Sequence, residues 1–353
     1  MNWPTTWFNV KTALEQMPDH YIDYNKFTTI CQDNQVTKES AQKTLVEYLN
    51  NLGIILHFTD FRLKNTQVLE PKWVTKAVYK IINSRQVTDR QGILHLNDLE
   101  AILKQEVDED YYYPSDQHPY IVDLMHKFEL CYYLDDNQVL IPDLLPVEEP
   151  NFEFEPALQF RIDYEFLPRS IIPRFIVNMH EDIKDELRWR TGVVLRDQEF
   201  AASALIKSDD EARKIFISVN GKQRRDYFAT ILKTLIKIHS SFEVEKLGID
   251  ERVCLPDNPK LTVSLKHLYS LENREKKDYS PEGSERDYLV SELLGTVGIK
   301  DKDILSYVKE IHASHQESNT EKATETFLLQ PNIFGIGFNL NSLFKWFLKF
   351  HKK

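Results

Sequence analysis

The feature that most constrains the fold of this 353-residue chain is an internal repeat in its first 150 residues, with an offset of about 72. The segment 21–27 (YIDYNKF) aligns with 93–99 (ILHLNDL), and each copy predicts a short alternating strand, an Asn at a helix N-cap and a helix. In the second copy, Asn97 and Glu100 have the spacing of a capping box. The chain therefore begins with two similar small subdomains.

Each copy continues with an amphipathic helix and a predicted hairpin. The first helix stops near Gly53 and the second spans 120–128; the predicted hairpin strands are 54–58 with 67–70, and 130–134 with 138–141. The order of strand, helices and hairpin is typical of a winged helix, and it occurs twice. Pro71 then predicts the start of a helix with an apolar stripe.

A linker is predicted at 143–157, where prolines alternate with acidic residues and no helical period remains. Beyond it the pattern predicts helices and strands that form an antiparallel sheet with helices on one face. The helices are at 168–183 and 224–239, and the strands at 158–164, 187–195, 202–206 and 214–219. We therefore expect an α+β chain with a tandem winged-helix-like domain at 1–150 and an α+β domain at 151–255.

The remaining residues, 256–353, predict a partly ordered extension with an amphipathic aromatic end. Phe344, Trp346 and Phe347 are the candidate contact residues there, and lysines surround them. Three uses stay open for this end: packing on the protein itself or on a second copy, binding another protein, and contact with an anionic membrane surface. Of these, the membrane is the least favoured.

The charge distribution argues against nucleic acid as the partner. The formal net charge is −11, and residues 1–150 carry 13 Lys and Arg against 23 Asp and Glu. Winged helices often bind DNA, but affinity for DNA depends on Lys and Arg that neutralise phosphates. A DNA-binding regulator is therefore the disfavoured alternative, and protein binding is the expected use of the first domain.

No catalytic or cofactor motif is present in the sequence. Neither phosphate-binding glycine spacing occurs, and Lys184 stands where the zincin motif begun by His180-Glu181 needs a second histidine. We expect no enzymatic activity, no bound cofactor and no metal. The three cysteines form no C-x-x-C pair, and no run of eighteen apolar residues occurs, so the expected location is the cytoplasm.

Several segments together carry a family resemblance. They are 45–58 (LVEYLNNLGIILHF), 68–74 (VLEPKWV), 127–131 (KFELC), 141–146 (IPDLLP), 164–169 (YEFLPR) and 189–195 (WRTGVVL). In this order they resemble the COR (C-terminal of Roc) domain of Roco proteins over roughly residues 3–255. The domain at 1–150 is similar to COR-A and the domain at 151–255 is similar to COR-B.

The resemblance implies an interaction module. In Roco proteins a Ras-like GTPase domain, Roc, precedes COR; the first COR half packs on the GTPase and the second contributes a homodimer contact. The expected partners are a Roc domain in cis or in trans and a second copy of the chain, and GTP enters only through Roc. No P-loop, leucine-rich repeat or kinase signature is present, so an excised fragment and a chain that works with a separate GTPase both stay open.

The resemblance also suggests candidate contact residues. Candidates for docking the GTPase are Phe58, Gln67, Trp73 and Tyr132. Candidates on the dimer side are Phe166, Arg169, Arg174, Trp189 and Arg190. For each of them the alternative is a structural role, either in the core or in an ion pair.

Overall fold

The protein is described here from a computed structural model that covers residues 4–106, 111–242 and 244–297. The chain divides between Leu144 and Leu145 into two compact units, which are described separately. The first unit comprises the described residues up to 144, and the second comprises those from 145 to 297. Both combine helices with antiparallel strands, which confirms the predicted α+β class.

The first unit contains seven helices and five short strands among its described residues. The helices are α1 (Thr5–Glu15), α2 (Tyr24–Asp33), α3 (Glu39–Asn51), α4 (Pro71–Ile82), α5 (Arg85–Asp89), α6 (Leu99–Ile102) and α7 (His118–Lys127). The strands are β1 (Tyr21–Asp23), β2 (Thr66–Val68), β3 (Ile93–His95), β4 (Tyr132–Asp135) and β5 (Gln138–Leu140). β1 pairs with β2, and the other three form a sheet in the order β3-β5-β4.

The sequence repeat reappears in the strand register. Tyr21 pairs with Val68, and Ile93 pairs with Leu140, which is the same pairing displaced by 72 residues along both strands. In the second copy a third strand, β4, pairs with the edge of β5 that faces away from β3. In the first copy only Leu56 takes that place, through one isolated bridge to Val68.

The predicted strand at 54–58 is therefore wrong, because only Leu56 is bridged. One reason is that the backbone N–H of His57 donates to Asn50 Oδ1 at 2.9 Å, which ties the chain to helix α3 instead of to a strand. The predicted N-caps are also misplaced. Asp23 caps α2 by accepting from the backbone N–H of Lys26 at 2.8 Å, and Asn97 lies inside a 3₁₀ turn that precedes α6.

Helix α4 forms as its sequence pattern predicts. Pro71 is its first residue, where the missing N–H has no intrahelical partner to lose. The predicted apolar stripe is buried along its whole length, at Trp73, Val74, Ala77, Val78 and Ile81. This helix links the two copies of the repeat in sequence.

The second unit is built on a seven-stranded antiparallel sheet in the order β12-β11-β6-β10-β9-β8-β7. Its strands are β6 (Leu158–Asp163), β7 (Ile183–Trp189), β8 (Gly192–Asp197), β9 (Ala202–Asp209), β10 (Lys214–Gly221), β11 (Asp250–Cys254) and β12 (Thr262–Ser264). A separate two-stranded sheet pairs β13 (Asp278–Tyr279) with β14 (Tyr288–Leu289). The helices are α8 (Ile171–Asn178), α9 (Arg224–His239), α10 (Val244–Leu247), α11 (Leu265–Asn273) and α12 (Val290–Val297).

One face of this sheet forms the core of the second unit. Along β6 the side chains of Leu158, Phe160 and Ile162 are buried, whereas the alternate side chains are partly exposed. The Phe160 ring contacts the Phe228 ring of α9 edge to face, with 5.0 Å between the ring centroids. Helices therefore cover this face, as the alternating pattern predicted.

Three boundaries of the second half differ from the sequence prediction. The predicted strand at 187–195 is two strands joined by a tight turn, and the predicted helix at 168–183 is limited to α8. The unit also continues past 255, because β12 pairs with β11 and Leu265 and Leu268 of α11 are buried. The predicted domain end at 255, with only partial order beyond it, therefore comes too early for the residues that the structure describes.

The edge strand β7 is irregular. Its register with β8 shifts between Ile183 and Arg188, and the exposed residues Asp185 and Glu186 have φ values of +48° and +58°. Left-handed backbone at two consecutive non-glycine residues interrupts the ladder and bends the strand. The outer edge of β7, which is unpaired among the described residues, is therefore not a regular template for another strand.

The turn between β7 and β8 depends on a glycine. A Cβ atom at Gly192 would lie 2.2 to 2.8 Å from ring carbons of Trp189, whose side chain is buried. We predict that Gly192→Ala lowers the free energy of unfolding by about 1 to 3 kcal/mol, because the indole has no room to move. Urea denaturation measures this. Thr191→Ala in the same turn is the control, and an unchanged midpoint for Gly192→Ala would contradict the packing argument.

Candidate interaction surfaces

All four residues predicted to dock the GTPase are buried in the first unit. Trp73 and Gln67 have no exposed surface, and Tyr132 and Phe58 retain only 3% and 6%. The Phe58 ring packs edge to face on Phe128, at 6.0 Å between centroids. Their side chains therefore support the surface from beneath instead of forming it.

Trp73 holds the two repeat copies together. Its indole N–H donates to the backbone oxygen of Tyr112 at 3.0 Å, and the Tyr113 hydroxyl donates to the backbone oxygen of Trp73 at 3.0 Å. The ring also packs against Tyr21 of β1, at 4.8 Å between centroids. Trp73 thus joins the first strand of the first copy to the segment before α7 in the second copy.

Gln67 fixes the base of a surface loop. Its amide oxygen accepts a hydrogen bond from Nδ1 of His57 at 2.7 Å, and its amide nitrogen donates to the backbone oxygen of Lys64 at 3.0 Å. Burial lowers the pKa of His57, and the hydrogen bond to Gln67 partly opposes that effect. The histidine is therefore neutral at pH 7 and acts as a structural donor.

The loop itself, residues 59–65 and hereafter the Phe61 loop, is clamped onto helix α7. Lys127 Nζ lies 2.5 Å from Asp60 Oδ2, and Arg62 donates to Asp123 Oδ1 at 3.1 Å. Between these two ion pairs the Phe61 side chain is 83% exposed. The sequence analysis did not identify Phe61. A signal was present, because the first copy has four more residues between Leu56 and Val68 than the second has between Tyr132 and Leu140, which marks an insertion.

The five dimer-side candidates fall into different environments. Phe166 is 59% exposed and Arg169 is exposed. Arg174 donates to Ser241 Oγ at 2.6 Å and lies over the Phe242 ring. Trp189 is buried, and Arg190 donates from Nε to the backbone oxygen of Leu145 at 3.1 Å. Of these five residues, only Phe166 and Arg169 are therefore exposed.

These candidates do not form one patch. Phe166 follows β6 and Trp189 ends β7, and the sheet order separates β6 from β7 by four strand spacings, roughly 19 Å. The loop that carries Phe166 is firmly held: the N–H groups of Glu165 and Phe166 donate to the backbone oxygen of Leu247, and Arg213 donates to that of Glu165 at 2.7 Å. An exposed aromatic ring is thus fixed at the end of β6.

The remaining sequence predictions can be placed only in part. Phe344, Trp346 and Phe347 lie outside the described residues. Within the described ranges, no group of three His, Cys, Asp or Glu side chains is arranged to hold a metal ion, and no helix is long and apolar enough to cross a membrane. Cys31, Cys131 and Cys254 are buried free thiols, and burial raises the pKa of each.

Family models match both units. The model for the COR-A domain, described as C-terminal of Roc, matches residues 4–145, and the model for the COR-B domain matches 155–296. A chain whose two α+β units match the COR-A and COR-B models in turn is a COR-type protein. The chain belongs to the COR family of Roco proteins, as the sequence resemblance predicted, and COR-B extends well past the predicted end at 255.

Three similar proteins illustrate the relationship. A Roc-COR-CHAT protease of Runella zeae is 25% identical over 259 residues, which are 70% of this chain and 26% of that protein. A probable serine/threonine-protein kinase of Dictyostelium discoideum is 29% identical over 202 residues, 51% of this chain and 13% of the kinase. A structure of Methanosarcina barkeri Roco2 RocCORdC bound to GDP matches 40% of this chain and 44% of that chain, with 50% identity and a TM-score of 0.40. The chain thus spans about a quarter of the bacterial relative and less of the kinase.

One carboxyl group of the second unit is buried in an apolar setting. Glu251 on β11 is 3% exposed, and its Oε2 has no hydrogen-bond partner among the described residues. Its side chain shares the core face of the sheet, since it pairs in register with Ile162. Burial, with a smaller contribution from Asp250, raises its pKa to about 7.

This burial predicts a pH dependence of stability. Below the unfolded-state pKa of 4.5 both states are protonated, and as the pH rises to 7 only the unfolded chain loses the proton. The free energy of unfolding should therefore fall over this window by on the order of 3 kcal/mol and stay level above it. Glu251→Gln should remove this fall in urea titrations from pH 4.5 to 8. The exposed Glu272→Gln on α11 is the control, and identical pH profiles for wild type and Glu251→Gln would refute the assignment.

Proposed function

We propose that this chain is a non-catalytic interaction module that couples a Roc GTPase domain to homodimerisation. The observation that carries the proposal is the match of a COR-A and a COR-B model to the two structural units in turn. The name of the Runella zeae relative, a Roc-COR-CHAT protease, joins Roc and COR in one protein, which supports a Roc domain as the partner. In this proposal GTP is bound by the partner, in cis or in trans, and the chain itself holds no cofactor.

The first unit would act as a pair of winged-helix-like subdomains. In the second copy, helices α6 and α7 lie between β3 and β4 in sequence, and the three strands form a sheet in the order β3-β5-β4. This arrangement supports the description of a winged helix. In the first copy, β1 pairs with β2 in the same register as β3 with β5, displaced by 72 residues, which supports the same description there. The use we propose is protein binding, because neither the family matches nor the relatives support a DNA-binding regulator.

The second unit would supply the homodimer contact. Phe166 supports this role because its ring is exposed on a loop that backbone hydrogen bonds hold in one conformation. A rigid aromatic side chain loses little conformational entropy on binding, which makes it a good interface residue. Arg169, three residues further in the same loop, lies at the rim of the proposed contact.

The partner prediction is tested by direct binding. We expect the purified chain to bind the GDP-loaded Roc domain of the Methanosarcina barkeri Roco2 protein, with an affinity that changes when a non-hydrolysable GTP analogue replaces GDP. Isothermal titration calorimetry measures both affinities. We expect no binding of duplex DNA even at low salt, because the first 150 residues are strongly acidic. Salt-sensitive DNA binding without Roc binding would overturn the proposal in favour of the DNA-binding alternative.

The dimer prediction is tested by mass. At micromolar concentration the chain should have about twice its monomer mass of 41.7 kDa in analytical ultracentrifugation. Phe166→Ser should shift the equilibrium toward monomer by roughly tenfold or more, because it removes an interface anchor. Leu289→Ser is the control, since Leu289 is a similarly exposed apolar residue of the same unit at 49%. A wild-type monomer would refute dimerisation, and a Phe166→Ser dimer of wild-type strength would move the contact elsewhere.

A further inference from the structure

Glu251 is the only acidic side chain that is buried in the part of the chain that the structure describes. Two histidines are also buried there, and both are hydrogen-bonded. His239 Nε2 lies 2.9 Å from the Tyr164 hydroxyl, and His118 Nε2 donates to the backbone oxygen of Tyr113 at 3.0 Å. Oε2 of Glu251 has no such partner. A buried polar atom without a hydrogen bond destabilises the fold, so this carboxyl group calls for an explanation.

Two helices lie over the strand that carries Glu251. Helices α11 and α12 both contact β11 and contact each other, and α12 also contacts α9 on the core face of the sheet. Their buried side chains are leucines: Leu265, Leu268 and Leu293 have no exposed surface. We call α11 and α12 together the cover. Glu251 is therefore enclosed between the sheet and a layer of apolar side chains.

The groups around Glu251 do not compensate a negative charge. From α11, Tyr269 lies close enough to interact, and burial, with smaller contributions from Glu272 and Glu251, raises the pKa of its hydroxyl to about 12. The neighbouring Asp250 adds a second negative charge, although its carboxylate is on the other face of the sheet, where Arg252 donates to it at 2.6 Å. The remaining ionisable residues of the cover are exposed: Lys266, His267, Glu272 and Glu292.

The strands on either side of Glu251 offer no cation either. The side chains of β6 on the core face are apolar, and β12 has Val263 there. A protonated carboxyl group can stay in such surroundings, whereas a carboxylate strongly prefers water. Glu251 therefore favours the closed arrangement only while it keeps its proton.

The cover is the part of this unit that can open most easily. It is joined to the sheet through β12, an outer strand that pairs with β11 over only three residue pairs. Ser264 stands at the N-cap of α11, but its hydroxyl donates to Asp250 Oδ1 at 2.8 Å instead of to the helix. The first turn of α11 thus depends on the sheet for its support. By contrast, β6 is paired along both edges, with β10 and with β11.

We propose that Glu251 controls the docking of the cover: the protonated side chain keeps α11 and α12 on the sheet, and the ionised side chain lets them lift so that water reaches the carboxylate. This inference does not rest on the proposed function. The lifted state exposes the apolar side chains of β6 and β11 that the cover otherwise buries. The second unit thus carries a proton-dependent conformational switch.

The switch works over a defined range of pH. In the open state Glu251 meets water and has its ordinary pKa of 4.5, whereas burial in the closed state raises the pKa to about 7. Between these values the ratio of open to closed molecules rises about tenfold per pH unit, and above pH 7 it stays level. The whole rise is on the order of 100-fold or more.

Hydrogen exchange of the full chain from pH 4.5 to 8, followed by mass spectrometry, tests the proposal. Rates are corrected for the intrinsic effect of pH, and urea denaturation in the same buffers gives the global unfolding constant. Amides of α11 should open far more often than the global constant allows, with the expected rise between pH 4.5 and 7 and little dependence on low urea. Amides of β9, in the middle of the sheet, should open no more often than global unfolding.

Two variants assign the effect to Glu251. Glu251→Gln and Glu251→Met keep the approximate size of the side chain and cannot ionise, so both should make the opening of α11 independent of pH. Glu251→Met also serves if the buried amide of Glu251→Gln is not tolerated. Glu272→Gln is the matched control, because it removes an exposed carboxylate from α11 and should leave the wild-type pH dependence.

Three results would overturn the proposal. Amides of α11 that open only at the global unfolding constant would show that Glu251 acts on the whole unit and not on the cover. A wild-type opening constant that does not change between pH 4.5 and 7 would refute the switch. A pH dependence that persists in both Glu251 variants would assign it to another group. The comparison of α11 with β9 needs only the wild-type chain, so it decides the first two questions even if a variant does not fold.

Discussion

The first unit depends on contacts that join its two repeat copies, and Trp73 makes the central one. Its indole packs on Tyr21 of β1 and on Tyr113 and donates a hydrogen bond to the backbone oxygen of Tyr112, and its backbone oxygen accepts a hydrogen bond from the Tyr113 hydroxyl. A small subdomain of about 70 residues buries too little surface to be very stable alone. Two copies that share a buried tryptophan, with the Phe61 loop paired to α7, form one core.

The sequence predicted most where the signal is local. The 72-residue offset, the stripe of α4 and the helix at 224–239 were all visible in the spacing of apolar residues, and the structure confirms them. The prediction was wrong where a distant contact decides the backbone. Asn50 binds the chain at His57 and prevents the strand at 54–58, and the packing of Trp189 over Gly192 makes a turn inside an apparently continuous strand.

The candidate contact residues show the same limit. The sequence pattern does not distinguish a buried aromatic residue next to a strand from an exposed one. Phe58, Trp73 and Tyr132 are all buried in the core. Phe61 lay in a short polar segment with no period, so its exposure could not be read from spacing. The ion pairs that fix its loop reach residues more than sixty positions away along the chain, which no local pattern reveals.

The irregular edge of the second unit limits how copies can assemble. A sheet with a straight, unprotected edge can keep adding strands from other molecules, so that association continues into a fibre. The bulge at Asp185 and Glu186 turns one outer strand away from such growth and places two acidic side chains there. The proposed homodimer, in which two copies meet through side chains elsewhere, is therefore an assembly of fixed size and not a polymer.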